Sequence, residues 1–196
     1  MKEIEIHSWF PSAIGIIDNE NNDKIKNYLV KHCIYLSNKK ERGGKDWVAN
    51  STYNTLNTYN IINDDKFNLL NKWVLEKINN YKNKLNILNN LKMEGGWFNI
   101  YKKNDYQEFH DHGEHSLSAV YFLKSNPKKD AKLIFKNPIP NSYNMPEYNF
   151  INFSQKAIYE PVPGRLIIFP SYLEHCVEQQ KTNNIRISIA YNFNKY

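Results

Sequence analysis

The sequence predicts a mainly β protein: an antiparallel sandwich or barrel, with two helices backing one of its sheets. Three observations predict it. Two amphipathic stretches of helical period come early, at about 22–37 and 64–85. From about residue 93 the period shortens, and eight apolar runs follow, separated by Asn, Asp, Gly and Pro. The last run has two unlike faces. Ile187, Ile189, Tyr191 and Phe193 make an apolar face, and Arg186, Ser188, Ala190 and Asn192 a small or polar one. One face suits packing on helices and the other the lining of a cavity.

In order along the chain, residues 3–18 read as one or two short strands broken at Pro11. Asn22 or Asp23 is placed to cap a helix whose inner face carries Ile25, Leu29, Cys33 and Leu36. His7 and His32 read as surface residues. The charged, paired-glycine segment NKKERGGKDWVANS is a loop, with Trp47 as a buried anchor or the end of a lid. A second helix starts near Asp64, where two acids favour the helix dipole, and stacks Phe67, Leu70, Val74, Ile78 and Tyr81, with Trp73 beside them. Strands are expected at 93–102, 105–112, 116–124, 131–136, 157–161, 164–169, 174–179 and 185–194. The exception is 137–156, a proline-rich stretch with no clean period, read as a substrate-side lid or a mobile insert.

Composition bounds the class. A chain of 196 residues is expected to form one domain, 1–196, with a sizeable core. The net charge is +6, but no Lys/Arg block or basic helix stands out, so the charge reads as a solvated surface and not a nucleic-acid footprint. Cys33 and Cys176 fit free thiols in a reducing compartment better than a disulfide. No apolar run approaches membrane-span length and no signal-peptide core is present, so a soluble, cytoplasmic protein is expected.

The chemistry concentrates in WFNIYKKNDYQEFHDHGEHSLSAVYFL, residues 97–123. On an extended strand His110 and His112 face the same way and Asp111 the other, so the two imidazoles can grip one metal. Alone, an H-x-H pair is commoner at a surface strand end than at a metal site. A third ligand must come from elsewhere, and His175, in PGRLIIFPSYLEHCVEQ, is the best candidate. Arg186 and Ser188 then open an otherwise apolar strand. An inward arginine needs an anion, and its planar fork suits a carboxylate, whether that of a ligand or of a protein acid such as Glu174.

The order H-x-(D or H), distal His, then Arg-x-Ser resembles the Fe(II)/2-oxoglutarate-dependent oxygenases. SLSAVYFLK, PVPGRLIIFPSYLEH and RISIAYNF agree with it, as does Tyr101 nine residues before His110. The match covers roughly residues 93–196. It is nearest a small subgroup from marine bacteria and phages, distantly similar to prolyl hydroxylases, whose start SWFPSAIGIID also resembles. The resemblance implies a double-stranded β-helix (jelly-roll), with the two N-terminal helices packed on the major sheet. It implies Fe(II) and 2-oxoglutarate as cofactors and a hydroxylase-type dioxygenase. Such an enzyme converts 2-oxoglutarate and O2 to succinate and CO2 while oxidising a C–H bond of a small-molecule or peptidyl substrate. His110 and His175 take the places of the constant histidine ligands, and His112 that usually held by aspartate. Three neutral imidazoles leave more net positive charge on the ion, which alters redox poise and weakens discrimination against Zn or Ni. Arg186, with Ser188 and Tyr101, takes the place of the 2-oxoglutarate anchor. Glu114 reaches the metal only if the turn bends, and His115 reads as a turn or substrate-side residue. The alternative is a cupin-type metal-binding protein or dioxygenase without 2-oxoglutarate. In it Arg186 and Ser188 would have no purpose, and the glutamate usual after H-x-H is missing. A metal-free binding jelly-roll is the third reading.

Overall fold

The computed structural model describes residues 3–9, 12–139 and 154–196. Among them, eleven strands form two antiparallel sheets. Strands β1 (Glu5–Trp9) and β2 (Ser12–Asp18) precede helix α1 (Asn22–Ser37); β3 (Tyr53–Asn54) precedes helix α2 (Asn68–Lys84). Then come β4 (Leu91–Tyr101), β5 (Gln107–His110), β6 (Leu117–Lys124), β7 (Leu133–Lys136), β8 (Lys156–Tyr159), β9 (Arg165–Pro170), β10 (His175–Val177) and β11 (Arg186–Lys195). The major sheet runs β1-β2-β9-β6-β11-β4-β3 and the minor sheet β5-β10-β7-β8. The eight later strands, β4 to β11, four per sheet, make the expected jelly-roll, and β1, β2 and β3 widen the major sheet at its two sides. The proposed lid lies mostly outside the described residues.

The helices cover the major sheet as their periodicity demands. Ile25, Leu29, Cys33 and Leu36 of α1 are buried, as are Leu70, Val74, Ile78 and Tyr81 of α2. They join one core with Ile187, Ile189, Tyr191 and Phe193 of β11. The opposite faces of β6 and β9 enter a second core between the sheets, where Val120, Phe122, Ile167 and Phe169 meet Leu133 and Phe135 of β7. Four residues of α1 and four of β11 were therefore read onto their correct faces.

Local details differ from expectation. Neither Asn22 nor Asp23 caps α1: Asn21 holds the cap position without a side-chain bond. Asn22 is instead buried and accepts from Tyr121 Oη at 2.8 Å. Asp64 caps a short 3-10 turn, Asp65–Phe67, accepting from the Lys66 backbone N–H, and α2 proper begins at Asn68. His32 is not a free surface residue; its Nε2 lies 2.6 Å from Asp64 Oδ2, to which Tyr59 also donates. The interacting carboxylate ties α1 to the segment entering α2.

The register of β11 positions the site. Arg186, Ser188, Ala190 and Asn192 pair with Tyr101, Asn99, Trp97 and Gly95 of β4, so these directly opposed residues share the face turned towards the minor sheet. On the other side Asn192 pairs with Ser118 of β6.

Candidate metal centre

His110 ends β5 and His175 begins β10, and the two are direct cross-strand partners in the minor sheet. His112 lies past the end of β5, in the turn through Gly113, whose φ of +34° is one that few other residues adopt. The turn is held by the Gly113 N–H donating to Asp111 Oδ1 and the His112 N–H donating to the Ser171 carbonyl. Strand alternation brought out which histidines share a side, but a turn rather than a strand delivers the second. Ring centroids are 4.3 Å apart for His110–His175, 5.0 Å for His112–His175 and 5.4 Å for His110–His112. One nitrogen from each ring lies within 4.8 Å of the other two.

The back of each ring is tied to an acceptor. His110 Nδ1 lies 2.8 Å from the Glu108 carbonyl and His175 Nδ1 2.8 Å from the Leu173 carbonyl. His112 Nδ1 lies 2.6 Å from Asn192 Oδ1 and 2.8 Å from Ser118 Oγ, and Ser118 is also within 2.8 Å of Ser171 Oγ. Carbonyl oxygens only accept, so each Nδ1 carries the proton and each Nε2 keeps its lone pair. Burial holds all three rings in the neutral, metal-binding form. It lowers His110, pushes His112 down to about 4 with help from His110, and sets His175 well below the usual histidine range. A borderline divalent ion suits such a neutral imidazole set. Asp111, Glu114 and His115 stand outside this group of ligand atoms. His115 contacts Asn194 at 3.2 Å and Glu94 at 3.7 Å, as a turn residue would.

Arg186 is wholly buried at the start of β11. Its Nη1 reaches Ser188 Oγ at 3.4 Å, while Nε and Nη2 have no partner among the described residues. The guanidinium stacks 4.6 Å from the Tyr101 ring and 5.3 Å from Phe122. Glu174, the acid the sequence offered for it, pairs with Lys136 at 2.7 Å on the outside. Burial lowers the arginine; Tyr101 and, more weakly, the charge of Asp130 offset part of the effect. A buried cation with two idle donors is costly unless an anion arrives. Tyr101 and Ser188 line an inner cavity that also touches all three histidines. Asn99 Oδ1 and Gln107 Oε1, without partners among the described residues, belong to the same lining, so the cavity holds more hydrogen-bonding capacity than these residues use. The three neutral imidazoles suit a divalent ion, and the buried guanidinium beside Tyr101 and Ser188 suits a carboxylate.

Sequence reasoning left one part of the site open and missed another. Trp47, expected as a buried anchor or the end of a lid, is half-buried and 6.0 Å ring to ring from His110. Glu108 puts it there, its carboxylate accepting from the Val48 and Ala49 backbone N–H groups at 2.8 and 3.1 Å. The second is Asn192 as partner of His112. Its place on the polar face of β11 was legible, but the register that faces it with Ser118 was not.

A family model described as "Putative 2OG-Fe(II) oxygenase" matches residues 95–192, half of the chain. No curated protein matches the chain in sequence. Among solved structures, the chain is similar to the viral collagen prolyl hydroxylase of Paramecium bursaria Chlorella virus 1, in its 2-oxoglutarate complex. The TM-score is 0.64 at 14% identity, over 93% of this chain and 96% of that one. A prolyl hydroxylase from Trichoplax adhaerens, in complex with a hypoxia-inducible-factor peptide fragment, gives 0.66 at 13% identity, over 93% and 83%. HygX from Streptomyces hygroscopicus, with nickel and 2-oxoglutarate bound, gives 0.60 at 10% identity, over 93% and 82%. The fold is shared with these neighbours, and the matched segment contains all three histidines, Tyr101, Arg186 and Ser188. The chain belongs to the 2OG-Fe(II) oxygenases, enzymes dependent on Fe(II) and 2-oxoglutarate.

Proposed function

We propose that His110, His112 and His175 hold Fe(II) through their Nε2 atoms, and that Arg186 receives the far carboxylate of 2-oxoglutarate with Ser188 and Tyr101 beside it. The observation that carries this reading is the wholly buried guanidinium, with two unpartnered nitrogens, behind a cavity that the three imidazoles also line. Once bound, Fe(II) and 2-oxoglutarate supply the oxidising power, O2 and 2-oxoglutarate yielding succinate and CO2 as one oxygen atom goes to a substrate C–H bond.

The chain's own residues do the rest. The Nδ1 acceptors fix the three rings so that the donor set is formed before the ion arrives. Arg186 would receive the cosubstrate's far carboxylate through its idle Nε and Nη2 donors, a fork that a lysine cannot copy. Trp47 and Trp97 lie against His110 and His112, with ring separations of 6.0 and 5.5 Å, and restrict water at the outer side. The two neighbours with 2-oxoglutarate bound, one of them with nickel as well, support the same assignment. The whole chain, 1–196, is read as one such unit, acting on a small-molecule or peptidyl substrate. No described helix is long and apolar enough to cross a membrane, and free Cys33 and Cys176 fit a reducing cytoplasm.

Metal titration tests the ligand assignment. His112→Ala and His175→Ala should each lower Fe(II) affinity by ~100-fold or more, whereas His112→Asp should keep the metal, because a carboxylate there restores the commoner triad. Fe(II) binding by His112→Ala as tight as in the parent would remove His112 from the ligand set.

A further inference from the structure

Outside the three histidines lies a cleft of about 360 Å3 whose walls include Trp47, Leu56 and Trp97. Among the described residues its acids are Asp111 and Glu114 and no Lys or Arg lines it, although the chain carries 26 of them and a net charge of +6. The cleft runs into a second hollow past Trp97, His115 and Asn192, where the charged residue is again an acid, Glu94. Glu94 is occupied by Lys92 at 3.0 Å and by Asn194 at 2.6 Å. Glu114 is exposed and has no hydrogen bond or ion pair among the described residues, and Asp111 accepts only from the Gly113 N–H. Neither acid belongs to the group of ligand atoms around the metal position.

A second observation points to a ligand independently of the acids. Trp97 is 6% exposed, its Nε1 is buried without a partner among the described residues, and the residue lines both the inner cavity and the outer cleft. A buried indole N–H ordinarily finds an acceptor. The two indoles flank the metal position, Trp47 against His110 and Trp97 against His112. Aromatic faces with carboxylates at the rim favour a compact cation on a short carbon stem, since the rings attract the charge and cover the methylenes. A ligand with only anionic groups would meet uncompensated carboxylates. The indole N–H calls in addition for an acceptor elsewhere on the substrate, such as a carbonyl or carboxyl oxygen, because a cationic group has donors only.

We propose that the substrate carries a cationic amino or guanidino group, held by Asp111 and Glu114, with its stem between Trp47 and Trp97. This rests on the oxygenase reading, because the cleft is a substrate site only if the histidines are the metal site. The cation comes either from a free amino acid or amine or from a side chain within a peptide. A cleft of this size lies at the lower end of the range for small-molecule sites, which favours the free form.

Binding, not turnover, tests it. The protein loaded with Ni(II) and 2-oxoglutarate is titrated with L-arginine and its neutral isostere L-citrulline, and with L-lysine and L-norleucine. Capped tripeptides with central arginine or citrulline are the peptide arm, and tryptophan fluorescence is the readout. At least one cationic probe should saturate at a concentration ten or more times lower than its neutral isostere. The arm in which that happens identifies the source. In Asp111→Asn/Glu114→Gln the advantage should fall to within threefold. Equal binding of cation and isostere, an advantage that survives the double substitution, or no binding by any probe would overturn the proposal. Calorimetry of 2-oxoglutarate with the Ni(II)-loaded parent separates the two levels. If 2-oxoglutarate binds and the cations show no advantage, only the substrate class falls. If 2-oxoglutarate does not bind, the oxygenase site assignment falls first.

Discussion

His112, the proposed ligand in the place where the wider superfamily usually has an aspartate, is supported from behind. A ligating aspartate would bring charge; His112 brings none, and its orientation depends on Asn192 Oδ1 at 2.6 Å and Ser118 Oγ at 2.8 Å. Outer partners of this kind typically contribute tenfold to a hundredfold in metal affinity. Asn192→Ala should therefore weaken Fe(II) binding by about that factor and leave the fold intact, while Asn192→Asp, which keeps an acceptor in place, should recover most of it. Equilibrium titration with a competing chelator measures both. Equal loss in the two variants would show that Asn192 acts through packing and not through the hydrogen bond. Asn192 stands on the face of β11 that alternation assigned to the cavity, yet its role needed the cross-strand register with Ser118, which no single stretch of sequence encodes.

Among the elements, the loop that carries Trp47 is placed by contacts that sequence periodicity cannot reveal. Arg42 donates to the Thr52 and Ala49 carbonyls, Thr52 Oγ1 to the Tyr106 carbonyl, and Glu108 receives the Val48 and Ala49 N–H groups. The two-residue strand β3 within this region was too short to show a period and went unread. Gly44 sits at φ +57°, and a Cβ there would come within 2.8 Å of the Trp47 ring. Gly44→Ala should cost roughly 1–2 kcal/mol from the left-handed backbone alone and shift Trp47, seen as lower thermal stability and altered fluorescence. An unchanged melting temperature would mean that the loop relaxes freely. A second cross-element tie centres on Asp130, whose carboxylate accepts from Gln180, Thr182 and Asn184 and from the Asn126 backbone N–H. Burial works to raise this carboxyl, but the donors outweigh it and lower it overall. A lowered folded-state value means stability that is present above the usual aspartate range and lost as pH falls through the folded value. Asp130→Asn should cost about 1.5–3 kcal/mol at neutral pH and flatten the acid limb of the denaturation profile below about pH 4. An acid limb identical to the parent's would rule out that linkage.

At the scale of the molecule, the jelly-roll was legible because its strands announce themselves by alternation and its helices by one apolar face. Ile187, Ile189, Tyr191 and Phe193 pack on the helix layer, while Ser188 and Ala190 line the cavity, as their alternation requires. The site was legible in its donors and not in their supports. His110 stands out by its H-x-H pair and His175 and Arg186 as polar residues beside apolar runs, whereas Glu108, Ser118 and Trp47 become special only through what the fold sets beside them. The central claim joins these scales: three imidazoles converge on a cavity that Tyr101 and Ser188 also line, the buried Arg186 lies beside those two, and 2-oxoglutarate is proposed to reach from the metal the imidazoles would hold to that arginine. Truncating one partner of such a buried charged pair typically costs roughly 2–5 kcal/mol. Anaerobic calorimetry of 2-oxoglutarate into the Fe(II)-loaded protein tests the claim most directly, with the parent, Arg186→Ala and Arg186→Lys compared at equal metal content. The parent should bind with one-to-one stoichiometry and pyruvate should bind it poorly. Arg186→Ala should bind 2-oxoglutarate at least tenfold more weakly, and Arg186→Lys should regain only part of that loss. Unchanged affinity in Arg186→Ala, with metal still bound, would contradict the account and favour a metal site that works without 2-oxoglutarate at Arg186.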